Sequence, residues 1–116
     1  MRKDDLIRIR HMIDAAREAI QFAADRKRED LDRDRMLVLS LVKSVEILGE
    51  AASKVSEEFR QTYPAMPWRE MVTMRNRLIH GYFDINLDIV WQTVSEELPP
   101  LVATLEAVLA EEEIDK

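Results

Sequence analysis

Residues 36–59, MLVLSLVKSVEILGEAASKVSEEF, hold the most apolar stretch of the chain. Leu37, Leu41, Val45, Leu48, Ala52, Val55 and Phe59 recur every three or four positions, which places them on one face of an α-helix. Met36, Leu39 and Val42 widen that stripe over its first half. A helix from about Leu31 to Arg60 is therefore expected to pack against more than one neighbour, or against a second subunit. Such a central helix decides the fold class, because only other amphipathic elements can cover a face of that width.

Upstream, Leu6, Ile9, Ile13, Ala16, Ile20 and Ala23 form a second stripe, predicting a first helix from Asp4 to about Ala24 with Asp4 or Asp5 as its cap. The charge-dense run from Asp25 to Asp34 reads as a solvated connection. Downstream, residues 61–67 (QTYPAMP) form a linker, and Pro67 suits the first turn of a third helix because its missing N–H has no partner there. That helix is expected to reach His80 and close at Gly81 in the left-handed conformation. A short fourth helix capped by Asn86 carries Leu87, Val90, Trp91 and Val94. Pro99 and Pro100 then restart the chain as a last helix with Leu101, Val102, Leu105, Val108 and Leu109 on one side. The prediction is an all-α fold, an antiparallel bundle of four to five helices in a single domain spanning residues 1–116.

Composition narrows the chemistry. Two glycines and four prolines in 116 residues are too few for a turn-rich β-sandwich or a glycine-rich phosphate loop. With no cysteine there is no disulfide, thiolate nucleophile or zinc finger. The opening Met1-Arg-Lys-Asp-Asp5 lacks the apolar core of a signal peptide, and no stretch approaches the ~20 apolar residues that span a bilayer, so a cytoplasmic protein without membrane partners is expected. The net charge of −6 argues against coating nucleic acid by bulk electrostatics. Its distribution is uneven: from Phe59 to Tyr82 the balance is +3, leaving −9 elsewhere, much of it in an acidic tail that reads as a solvated helix end.

Polar chemistry concentrates in the third helix. Its stripe runs through Trp68, Met71 or Val72, position 75, then Leu78 or Ile79, and position 75 is an arginine. An inward arginine has to be paired or face a polar cavity. Two readings stay open: an internal ion pair with Glu46 or Glu50 of the central helix, or an anion-binding arginine whose planar fork suits a phosphate. Asn76 and His80 lie four apart on a neighbouring face, and Tyr82 seven beyond Arg75, so four polar groups converge at one helix end. At a helix C-terminus the macrodipole would favour protonated His80 and suit it to proton transfer, although a histidine there can equally be a simple cap. Trp68 and Trp91 read as core, and His11 lies beside its helix's apolar stripe with no assigned role. Diiron Glu-x-x-His pairs are absent, no spacing suggests zinc, and there is no serine elbow. What remains is acid–base chemistry on a phosphate, assisted by arginine, with no metal and no cofactor.

Residues 75–82, RNRLIHGY, match the pattern R-x-x-x-x-H-x-Y, and here the chain resembles the HepT-like proteins of the HEPN superfamily, small all-helical ribonucleases. Residues 47–52 (ILGEAA), 63–70 (YPAMPWRE) and 88–94 (DIVWQTV) resemble the flanking blocks of that family in the expected order. The resemblance implies the toxin of a toxin–antitoxin pair, cleaving RNA without metal through Arg75 and His80. It also implies a small nucleotidyltransferase antitoxin as partner, which transfers AMP from ATP to the motif tyrosine, here Tyr82.

Cleavage through the RNA 2′-hydroxyl calls for a base, an acid and a cation at the phosphate, and one chain offers one suitable histidine. A homodimer joining two third helices would supply His80 and Arg75 twice, with Asn76 orienting His80 or the ribose and Tyr82 at the entrance. Two other readings compete: a non-catalytic helical dimer that binds a nucleotide or partner, and a structural protein in which Arg75 pairs with Glu50.

Overall fold

A computed structural model describes residues 2–81 and 84–114. Its α-helices are α1 (Arg2–Ala23), α2 (Arg35–Ser53), α3 (Glu57–Thr62), α4 (Trp68–Leu78), α5 (Leu87–Gln92) and α6 (Leu98–Ile114). The expected all-α class holds, with one small departure: β1 (Ile79–His80) pairs antiparallel with β2 (Asp84–Ile85).

The stripes of the two long helices bury as their periodicity requires. Ile9, Met12 and Ala19 of α1 share one core with Leu41, Val45, Leu48 and Ala52 of α2, and all are essentially inaccessible. The connection between them is more ordered than a solvated coil. Arg28–Asp32 form a 3₁₀ turn that buries Leu31, and Arg26 bridges Asp30 and Asp34. Asp34 caps α2 by accepting from the Leu37 amide, so the helix begins at Arg35 rather than Leu31.

The central helix does not run to Arg60. It ends at Ser53, and Ser56 restarts the chain as the cap of α3. The break is fixed by Asp5, one of the two residues, with Asp4, expected as cap of the first helix. Asp5 is instead buried, accepting from the Ser56 amide and hydroxyl at 2.7 Å each. Arg60 folds back and donates to the carbonyls of Ala52 and Val55, closing the exposed end of α2. Val55 and Phe59 stay buried across the break, with Phe59 edge-on to Trp68.

α4 lies against α2 where Gly49 leaves no side chain. A Cβ there would stand 3.1 Å from the Met71 carbonyl oxygen and 3.2 Å from that of Val72. α6 is tied to α1 by pairs of Arg17 with Glu106 and Arg10 with Glu113. The acidic tail is not wholly solvated: Glu112 is buried and receives both Arg2 and the Tyr63 hydroxyl. Burial, then that carboxylate, raises the Tyr63 phenol above its ordinary range.

Pro99 and Pro100 do not begin a separate helix. The backbone stays helical from Leu87 through Ile114, widening to a π-turn over Thr93–Glu97 in which the Leu98 amide reaches the Thr93 carbonyl. Prolines cannot donate to the carbonyls four residues back and crowd them, and a wider turn upstream accommodates this without a break.

Candidate active site

α4 buries the stripe read from the sequence at Trp68, Met71 and Leu78 and departs from it at one position. Trp68, Met71, Met74 and Leu78 are its buried positions, so Met74 takes the inward place and Arg75, one position on, lies at the surface. The correction follows from the helical step of ~100° per residue: 74 and 75 fit the three-and-four spacing about equally, and the apolar side chain wins the core.

Arg75 nonetheless has a partner. Its Nε donates to Glu46 Oε2 at 3.2 Å, and both side chains are about half exposed, at 47% and 41%. Glu46 rather than Glu50 receives it, and the other oxygen, Oε1, accepts from Lys43 Nζ at 3.1 Å. Lys43 first, and Arg75 with it, hold the Glu46 carboxyl below the usual carboxylate range against an opposing desolvation. Glu46 was one of two carboxylates the sequence offered. Lys43 was missed, although its three-residue spacing from Glu46 on one helix was a usable signal.

The helix ends two residues earlier than expected. Ile79 takes an extended conformation, and the Leu78 carbonyl accepts from the Asn86 amide at 2.7 Å. His80 therefore stands exposed on β1 opposite Asp84, not in a helical last turn, and the macrodipole argument for its protonation lapses. Gly81 does adopt a left-handed φ of 68°, at the hairpin tip rather than as a helix closure. Asn76 is exposed on α4, and no hydrogen bond joins its side chain to His80 among the described residues. Arg77 is drawn off to Glu97 at 2.7 Å. Tyr82 lies outside the described residues. The structure thus places Arg75, Asn76 and His80 as accessible groups at and just beyond the end of α4, and among the described residues only the Arg75 side chain is tied to a neighbour.

Comparison with known proteins gives this arrangement a family. The Ribonuclease HepT-like family model matches residues 12–108. A candidate RNase of Caldanaerobacter subterraneus subsp. tengcongensis is 39% identical over 84 residues, covering 72% of this chain and 75% of its own. One of Methanocaldococcus jannaschii is 33% identical over 97 residues, covering 84% and 89%. A probable ribonuclease HepT of Thermococcus cleftensis is 37% identical over 78 residues, covering 67% and 71%. No solved structure matches. An all-helical bundle with polar groups exposed at one helix end is thus joined by relatives of one enzymatic class. The chain belongs to the HepT-like ribonuclease family.

Proposed function

We propose that this chain is a metal-independent endoribonuclease toxin acting through Arg75 and His80. The observation that carries the reading is that Arg75 is exposed beside His80's strand and paired only through Nε to a half-exposed carboxylate among the described residues. An ion pair half open to water contributes at most about 1 kcal/mol, so an arginine held at this surface is better accounted for by what it binds. Glu46 engages Nε, and among the described residues the two terminal nitrogens of the guanidinium have no partner, which suits them to fork onto a phosphate.

In the proposed reaction the RNA 2′-oxygen attacks the adjacent phosphorus as a base removes its proton. The bond from phosphorus to the 5′-oxygen breaks as an acid returns a proton to that oxygen, leaving a 2′,3′-cyclic phosphate. Arg75 stabilises the crowded phosphate. His80 serves as base or acid, and a homodimer supplies the second His80, so that each removes or returns one proton. Exposed Met36 and Leu39 on α2, at 80% and 48%, support such a dimer; Val42, expected to share that face, is in the core at 7%. Asn76 positions His80 or the ribose once substrate closes the site.

The same reading makes the protein one half of a toxin–antitoxin pair, silenced when a nucleotidyltransferase antitoxin transfers AMP to Tyr82. The added phosphate would compete for Arg75 and the nucleoside would fill the substrate's space. Incubating the protein with such a partner and ATP should give AMP-sized mass increments that vanish in Tyr82→Phe. Increments persisting in that variant refute the assignment. The ribonuclease reading itself is tested with a labelled RNA and purified protein: cleavage should be lost in both Arg75→Ala and His80→Ala, and cleavage retained in both overturns it.

A further inference from the structure

We propose that the groove between α1 and α2 is a second phosphate-binding subsite, taking the RNA backbone beside the phosphate held by Arg75. The inference rests on the ribonuclease reading and extends it from a single phosphate to a path along the strand.

The groove encloses about 350 Å³. Its polar lining is Arg8 and His11 of α1 with Lys43, Glu46, Glu50 and Lys54 of α2. Glu46 belongs to both places: one carboxylate oxygen holds Arg75, and the residue lines the groove beside Lys43. A strand seated on Arg75 therefore reaches the groove by crossing one side chain.

The state of Arg8 points to an anion. Four arginines among the described residues are half-buried. Arg26 pairs with Asp30 and Asp34, Arg28 with Asp32 and Asp88, and Arg60 donates to two carbonyls. Arg8 is the fourth, and it makes no ion pair or side-chain hydrogen bond among the described residues. The two carboxylates in the groove do not answer it: Glu46 is occupied by Lys43 and Arg75, and Glu50 stands 3.8 Å from Lys54. His11 follows Arg8 by three residues, so the two present donors on one face of α1. A half-buried arginine with no carboxylate partner among the described residues, next to a second donor and continuous with a phosphate-binding arginine, suits a phosphodiester better than a neutral ligand.

The test measures binding of a short single-stranded RNA by His80→Ala protein, with and without Arg8→Ala, across a salt series. Adding Arg8→Ala should weaken binding about 10-fold, as for loss of a charge-assisted hydrogen bond. It should also reduce the slope of log Kd against log salt by about 0.7, one phosphate contact on a single strand. Arg33→Ala removes the same charge from an exposed arginine outside the groove and should leave the slope unchanged. Arg8→Gln serves as a second variant if Arg8→Ala loses its helical signal. Unchanged affinity and slope overturn the proposal, as does an equal loss in Arg33→Ala. A shift of oligomeric state in Arg8→Ala also overturns it, since the groove would then be covered by a second copy. Failure of the unsubstituted protein to cleave RNA is a separate result, and it refutes the ribonuclease reading itself.

Discussion

The two ends of this bundle treat polar groups in opposite ways. Where α1 begins, Asp5 is buried and satisfied by Ser56, Glu112 is buried between Tyr63 and Arg2, and Arg60 closes the carbonyls of α2. At the end of α4, Arg75, Asn76 and His80 are exposed, and among the described residues only the Arg75 side chain is held, through one nitrogen. Groups of the first kind cost a great deal to disturb and cannot reach a substrate. Those of the second cost little and can.

The largest effect expected from this contrast is on activity. Arg75→Ala and His80→Ala should each lower RNA cleavage on the order of 100-fold or more, as for loss of a group acting on charge in the transition state. Melting temperatures should stay near that of the unsubstituted protein, because neither residue is buried. A melting temperature lowered by ten degrees or so in either variant would erase the distinction between the two ends.

The converse prediction falls on Asp5. Asp5→Ala leaves the half-buried Ser56 amide and hydroxyl without their acceptors, which should cost about 2 kcal/mol, lowering the melting temperature by roughly 10 °C in a chain of this size. Cleavage below the new midpoint should be unaffected. Asp5→Asn keeps one acceptor and should lose less. Thermal unfolding followed by circular dichroism, with the cleavage assay at low temperature, separates the two outcomes.

How much of this was legible in the sequence depended on the range of each interaction. The apolar stripes of α1, α2 and α6 follow a local period and were readable, as were the caps Asn86 and Gly81's left-handed φ. The break after Ser53 was not, because the group that fixes it, Asp5, lies 51 residues from Ser56. The third inward position of α4 depended on a choice between Met74 and Arg75 that spacing leaves open. The hairpin after Leu78 needed a partner strand whose two residues carry no pattern of their own. Of the candidate site, the nearness of Arg75, Asn76 and His80 to the end of α4 is local in the chain, but the exposure of Arg75 and its hold on Glu46 came from packing.

A substitution linking the two ends should have an intermediate effect. Gly49→Ala would favour α2 by about 1 kcal/mol as an isolated helix, but its methyl group would press on the Met71 and Val72 carbonyls of α4. Overpacking of this kind typically costs about 1–3 kcal/mol, so a net loss of about 1 kcal/mol is expected. Since α4 carries Arg75, a measurable fall in cleavage should accompany the loss of stability. A more stable and fully active variant would show that the helices can separate freely.

The smallest effect should come from Glu46→Gln. The pair with Arg75 and the contact with Lys43 are open to water, so the loss of stability at neutral pH should stay below about 1 kcal/mol and shrink further with salt. Its pH dependence has a definite sign. The folded-state carboxyl is held below its ordinary range, so the unfolded chain binds the proton more readily. The contribution is then fully present above the ordinary glutamate range and fades as pH falls through the depressed folded value. Melting curves of the two proteins should differ slightly at neutral pH and converge in acid. A difference that persisted at low pH would assign the effect to packing of the glutamate stem rather than to its charge, and Arg75 would then be held by something other than the carboxylate.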